Sequence, residues 1–398
     1  MPIEMGQLLP SMSSGQLLDY MAECRGLVLE ELKAIVPAAG ELQPILYDLV
    51  FEYPMREAKA LRPAVAVAVC RAFGGPVEGV LKSATVLELY HNAFLIHDDV
   101  EDGSELRRDA PTLHTRHGTP VAINVGDAML ALALQPLLDN VADLGLGRAL
   151  RVMEAVSVMA RESAEGQAIE LAWTRSGNWS LRDRDYLRMV HKKTGWYTFI
   201  TPAVIGGLVA GCTQEQLLRL RLFATALGTA FQIQDDILNL ESGPGRYGKE
   251  AWGDLWEGKH TLILMHALRC ADAEERQHAL GILGRARPPH QGHPSPTEQV
   301  VERLTALYQE QQITHRAYDE LTQLLRHTVQ VRYKTHEDVR FLHDLVQRHD
   351  SIAYARRVAA RRARRARLLL HALDPVLGAS EHLSFLDGLI DFVVDRSH

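Results

Sequence analysis

Cysteine is scarce in this sequence: Cys24, Cys70, Cys212 and Cys270 are spread over 398 residues without a CxxC pair. That excludes a disulfide framework and a thiolate metal site, and leaves four reduced, mostly buried thiols as the expectation. Nor is there a repeat of fixed period or strict apolar–polar alternation over a strand length. Basic charge is not in excess: 43 Lys and Arg stand against 50 Asp and Glu, a formal −7, which argues against a polyanion-coating surface. The longest uncharged run, Thr194 to Gln214, is diluted by Thr, Gly and Pro202 and reads as a buried helix rather than a bilayer span. The first twenty residues lack a basic region followed by an apolar one. A cytoplasmic protein without stable membrane insertion is expected.

What the chain has in quantity is helical periodicity. Apolar residues recur at three and four, as in Leu17-Met21-Cys24-Val28-Leu32-Ile35 and Leu217-Leu220-Ala224-Leu227-Phe231, and the fold is expected to be all-α. Helical segments are expected over 14–36, 42–72 with a break near Pro54, 79–102, 119–143, 146–172, 184–211, 215–241 and 259–285. Five more follow, over 298–309, 312–334, 337–347, 350–373 and 380–395. Gly/Pro clusters mark breaks, and the four prolines of 285–299 make a loop between two helical blocks. Residues 356–367, RRVAARRARRAR, carry seven arginines. Their spacing wraps a helix, and Asp350 and Asp374 bracket them in an acidic chain, so a solvated helix face is expected and a nucleic-acid partner is not.

Two aspartate-rich stretches carry the chemistry. In LELYHNAFLIHDDVEDGSELRR, Asp98 and Asp102 stand four apart on one helix face, with Asp99 turned about 100° away and Arg107 and Arg108 downstream. In FQIQDDILNLESGPGRYGKEAWGDLWEGKHTL, Asp235 and Asn239 share a face, Asp236 is adjacent, and Lys249 and Lys259 follow. Like charges one turn apart repel unless a cation sits between them. Isolated surface ion pairs are worth at most ~1 kcal/mol, and the apolar runs before both motifs speak against that reading. Paired oxygen ligands with room for water suit Mg²⁺ bridging to phosphates, and the dispersed histidines disfavour zinc. Cations beyond the carboxylates would grip the remaining oxygens of a diphosphate.

These residues resemble the trans-isoprenyl diphosphate synthases, the polyprenyl synthetase family, over roughly 50–270, and the wording DDVED and DDILN is most similar to the geranylgeranyl diphosphate synthase branch. The resemblance implies an isoprenoid synthase-type helical bundle around a central cavity. It implies one domain over 1–398, with its core at 40–270, the loop 285–299 and a C-terminal block 300–398. It implies Mg²⁺, three ions per site, held by Asp98, Asp102 and Asp235 with Asp99 and Asp236 in support. Isopentenyl diphosphate would be held by Lys59, Arg62, His91 and Arg108, and the allylic diphosphate by Arg107, Lys193, Thr194, Gln232, Lys249 and Lys259. Asp98, Asp99, Asp102, Arg107, Lys193, Asp235 and Asp236 are then the catalytic set, and a homodimer is expected.

Three positions depart from the family pattern. Glu57-Ala58 replaces a Gly-Gly before Lys59, Asp109 replaces a Gly after the arginine pair, and Asn239 replaces the last Asp of the second motif. The first two are expected to weaken diphosphate binding. Product length should follow the residues just upstream of Asp98: Ala93 leaves a turn open and Phe94 partly closes it, which suggests a C20 product over farnesyl or longer chains. A class I terpene cyclase fits less well, since Asn239 and Gly243 stand where its second motif needs Ser or Thr and Glu. A non-catalytic partner subunit fits less well because both aspartate motifs are present.

Overall fold

The structure, a computed structural model, describes residues 12–37, 40–241, 252–288, 296–328, 332–373 and 380–395. Lys249 and residues 289–295 of the Pro-rich loop lie outside the described residues. Helix α1 (Ser14–Ile35) starts at a capping box made by Ser13 and Gln16. A π-helical turn (Gln43–Tyr47) leads into α2 (Asp48–Met55), α3 (Leu61–Ala72) and α4 (Val77–Glu101). After a small hairpin come α5 (Leu113–His117), α6 (Thr119–Leu132), α7 (Leu134–Leu144), α8 (Leu146–Ser176) and α9 (Asp183–Val190). A ten-residue π-helix (His191–Ile200) continues into α10 (Thr201–Val209), followed by α11 (Gln214–Glu241). The remainder is α12 (Gly253–Glu257), α13 (Leu262–Cys270), α14 (Ala273–Leu283), α15 (Pro296–Gln309), α16 (His315–Thr328), α17 (His336–Arg348), α18 (Ser351–His371) and α19 (Glu381–Asp395).

The all-α expectation holds apart from the hairpin, in which β1 (Leu106–Arg107) pairs antiparallel with β2 (Ala110–Pro111). Its two turn residues, Arg108 and Asp109, have φ of 54° and 59°, the left-handed pair of a type I′ turn. Expected segment 42–72 breaks after Met55, and 259–285 splits where the Asp272 carboxylate accepts the Glu275 N–H and caps α14.

Helices α3, α4, α10, α11 and the π-helix pack against one another at the centre, and α8 lies against the π-helix. α3 is buried along nearly its whole length, which its run of Ala and Val permits. The C-terminal helices join the same core. Ala355, Ala359, Ala363, Ala366 and Leu370 form the buried side of α18, a small-residue face that lets it lie close along α11. The two run antiparallel: Arg356 pairs with Glu241 at one end, and Arg219 donates to the Ala372 carbonyl, 2.7 Å, at the other. Phe385, Leu389 and Ile390 of α19 share a hydrophobic cluster with Val65 and Val69 of α3. The expected solvated face of residues 356–367 is thus the outer side of a helix whose inner side is core.

Candidate active site

Both aspartate motifs open onto one cleft of about 640 Å³, lined by Asp98 and Arg107 on one side and Gln232, Asp235 and Asp236 on the other. Lys193, Thr194, Lys259 and Glu170 complete its polar wall. Lys193 reaches across, placing Nζ 3.1 Å from Asp98 Oδ1 and in contact with Glu170. Arg107 lies 3.6 Å from the same Asp98 carboxylate, and Lys259 lies 3.9 Å from Asp254.

The second aspartate of each pair is tied to a tyrosine. Asp99 is fully buried, accepts from the Tyr53 hydroxyl at 2.6 Å, and accepts from Arg107 Nε at 2.9 Å. It does not line the cleft; it aims Arg107 into it. Asp236 accepts from the Tyr186 hydroxyl at 2.7 Å and from Gln232 Nε2 at 2.9 Å, while Thr194 donates to Gln232 Oε1 at 2.9 Å. Burial pushes the Asp236 carboxyl up to about 6 against the opposing pull of Lys259 and Tyr186. Asn239 is committed elsewhere: its Oδ1 accepts the Asp254 N–H, 3.1 Å, at the start of α12.

Asp98 and Asp102 bear the cost of proximity. Burial, then Asp98 and Glu257, push the Asp102 carboxyl up to about 8. Among the described residues no group of three Asp, Glu, His or Cys side chains could cage a metal by itself. The donor set fits Mg²⁺, which keeps several waters and takes one or two carboxylates plus phosphate oxygens. It offers little to zinc.

A cationic cluster lies on the other side of Tyr197. Arg62 is buried, donates to Thr198 Oγ1 at 2.9 Å and sits 4.6 Å above the Tyr197 ring; His91 stacks on that ring, centroids 5.9 Å apart. Arg62 Nε and His91 Nδ1 are buried polar atoms with no partner. Burial, with Arg62, Arg108 and Arg107 adding repulsion, holds the His91 imidazole well below its ordinary range and therefore neutral. Arg108 donates to the Tyr53 carbonyl at 3.3 Å; burial and the repulsion of Arg62, Arg107 and Arg56 push it down to about 10, against the pull of Glu88. Such crowding of like charge suits an anion. Lys59 is exposed between α2 and α3, its ammonium 5.2 Å from the Phe392 ring of α19. Asp109 is exposed at the hairpin tip and Glu57 is exposed as well, and neither lines the cleft.

A second cavity of about 830 Å³ shares Leu95, Asp98, Lys193 and Tyr197 with the cleft and continues between α4 and α8. Phe94, Leu95, Ala164, Ala168 and Leu171 give it an apolar lining. Phe94 is braced edge-on by Tyr90 and Tyr197. Ala93 lines neither cavity; it is fully buried in the core.

Sequence reasoning missed Glu170, Tyr197, Tyr53, Tyr186 and Gly166. Glu170 is a buried carboxylate on α8; burial opposes its charge, but Lys193 and Lys259 hold it below the usual range. A lone acidic residue on the inward face of an apolar stretch was the available signal. Gly166 lies against the π-helix so closely that a Cβ there would fall 2.2 Å from the Lys193 backbone nitrogen. Of the residues expected from sequence, the structure brings Asp98, Arg107, Lys193, Thr194, Gln232, Asp235, Asp236 and Lys259 to one cleft.

The sequence profile described as Polyprenyl synthetase matches residues 43–304. The chain is 35% identical over 259 residues to a short chain isoprenyl diphosphate synthase of Methanocaldococcus jannaschii, covering 64% of this chain and 75% of that one. It is 33% identical over 258 residues to octaprenyl diphosphate synthase of Escherichia coli, covering 65% and 74% respectively. The crystal structure of geranylgeranyl pyrophosphate synthetase from Pyrococcus horikoshii superposes with a TM-score of 0.76 at 27% identity, over 96% of this chain and 99% of that one. With the profile covering most of the chain and the bundle matched almost end to end, this protein belongs to the polyprenyl synthetase family.

Proposed function

We propose that the protein is a Mg²⁺-dependent trans-prenyltransferase that condenses isopentenyl diphosphate with allylic diphosphates and ends mainly at geranylgeranyl diphosphate, C20. The observation that carries this reading is the convergence of Asp98 and Asp235, 137 positions apart in sequence, on one cleft with Arg107, Lys193 and Lys259. Asp98, Asp102 and Asp235 would hold the metal, with Glu170 beside them, and the ion count of three is part of the proposal. Bound Mg²⁺ supplies positive charge that stabilises the leaving diphosphate.

Arg107, Lys193 and Lys259 orient the allylic diphosphate and neutralise charge as its C–O bond breaks. Thr194 and Gln232 offer oxygen dipoles to the allylic cation. Arg62, His91 and Arg108, with Lys59 at the rim, hold isopentenyl diphosphate so that its alkene faces C1. The departing diphosphate accepts the proton lost after C–C bond formation, as the family resemblance implies. The apolar cavity beyond Asp98 receives the growing tail. Phe94 projecting into that cavity supports C20, and the relatives span short and octaprenyl products.

The exposed apolar residues Leu134, Leu138, Val141, Leu146 and Leu150 support a homodimer through α7 and α8. Residues Thr119–Leu144 are long and apolar enough to cross a membrane, with 39% of their most apolar 18-residue window buried. We assign its exposed side to a second copy and the enzyme to the cytoplasm. The buried continuity of α18 and α19 with α3 and α11 supports a single domain.

The test is extension of labelled isopentenyl diphosphate from dimethylallyl, geranyl and farnesyl starters by the purified protein with Mg²⁺. Mainly C20 product is expected; mainly C15 or C30 and longer would overturn the length assignment. No turnover from any starter would overturn the activity.

A further inference from the structure

The arginine-rich segment has an orientation that its sequence alone does not give. On α18, Arg357, Arg361, Arg364, Arg365 and Leu368 follow at steps of four, three, one and three, so they share one face. All five are exposed, and the alanine face lies on the opposite side against α11. The stripe runs about 16 Å along the helix.

Nearby acids are already engaged. Arg357 has Asp350 at 3.9 Å, Arg356 is held by Glu241, and Arg367 takes Asp387 and Asp391 on the flank. Among the described residues Arg361, Arg364 and Arg365 make no ion pair. The stripe ends in apolar residues: Leu368 is 66% exposed, and on the adjoining end of α11 Leu218 and Leu222 are 57% and 45% exposed. Arg219, between those leucines, ties α11 to the C-terminal end of α18 through Ala372.

From this arrangement we infer that the outer face of α18, with the Leu218–Leu222 end of α11, docks on an anionic lipid surface. Cations in a row meet lipid phosphates, and adjacent leucines enter the headgroup boundary; basic and apolar groups sharing one face is the pattern of interfacial helices. A nucleic acid would use the arginines and leave the leucines without a role. The surface lies on α18 and α11, whereas the dimer face proposed above lies on α7 and α8. The inference does not rest on the proposed activity.

The test is co-sedimentation of the full-length protein with vesicles of phosphatidylcholine containing about one-third phosphatidylserine, at ~0.1 M salt, against pure phosphatidylcholine. Each basic residue near an anionic surface contributes roughly a fivefold factor in partitioning. Arg361→Gln/Arg364→Gln/Arg365→Gln together should therefore weaken binding about a hundredfold, and Leu368→Ser should weaken it without altering charge. The substituted residues are exposed, and an unchanged melting temperature verifies folding. Equal binding to both vesicle types, or full binding by the triple variant, would overturn the inference. Duplex DNA retained by the arginines, with vesicle binding indifferent to Leu368, would reassign the face to nucleic acid and overturn it too.

Discussion

Asp98 and Asp99 are neighbours with opposite consequences for the molecule. Asp98 lines the cleft between Lys193 and Arg107, with the like charge of Asp102 one turn further on. Asp98→Asn should cost activity, about a thousandfold in kcat in the extension assay, since it removes a carboxylate of the proposed metal site and the partner of Lys193. Asp99 is the buried anchor of Arg107 and Tyr53, so Asp99→Asn should lower stability by about 3 kcal/mol, read by denaturant titration, and reduce turnover through a loosened Arg107. Phe94 and Ala93 differ in the same way. Phe94→Ala should open the tail cavity and shift the product of the extension assay beyond C20. Ala93→Phe places a ring in closed core and should cost roughly 1–3 kcal/mol in stability, a confounding loss in any product assay. Asp98 and Asp235 were legible because charge on an apolar helix demands a reason, Lys259 because it follows on the loop after the second motif, and Lys193 only through the family resemblance. The partners Tyr53 and Tyr186 were not, since tyrosine in a helical pattern reads as ordinary core and its hydroxyl partner lies 46 or 50 residues away.

At the scale of elements, the helices were legible from their periodicity, and most expected segments coincide with observed ones. What periodicity did not reveal is irregularity: the π-helix over His191–Ile200 and the I′ hairpin that presents Arg107 and Arg108. π-helical segments are rare and gather at functional sites, and this one carries Lys193 and Thr194 to the cleft. Its position depends on Gly166, where α8 backbone meets π-helix backbone. Gly166→Ala should push the two apart and move Lys193. The expected outcome is a fall in kcat/KM for the allylic substrate together with a melting temperature several degrees lower, whereas Gly147→Ala, in open space on the same helix, should change neither. The hairpin also settles how Asp109 is accommodated. A left-handed turn position tolerates Asp, and the exposed tip turns that carboxylate away from the cleft.

For the whole molecule, the convergence of motifs from two distant stretches was legible in outline, whereas the packing of the C-terminal block was not. Alanines at steps of four in a run of arginines advertise charge, and only the structure shows that they seat α18 along α11. Assembly is the remaining question at this scale. Leu138→Glu and Leu146→Glu together place charge in the apolar side of α7 and α8. Light scattering should find the parent at twice the 44.4 kDa chain mass and the variant at once that mass.

The wall shared by the cleft and the apolar cavity has a metrical consequence. Asp98 and Lys193 belong to both spaces, so under the proposed activity the point that would grip the diphosphate head would also be the zero from which tail length is measured. A ruler with a fixed zero and an adjustable far end can be recalibrated by changing one ring at its tip. Moving the zero shifts every reading at once, so the same stretch of α4 answers to two demands: it must vary for product and stand still for chemistry.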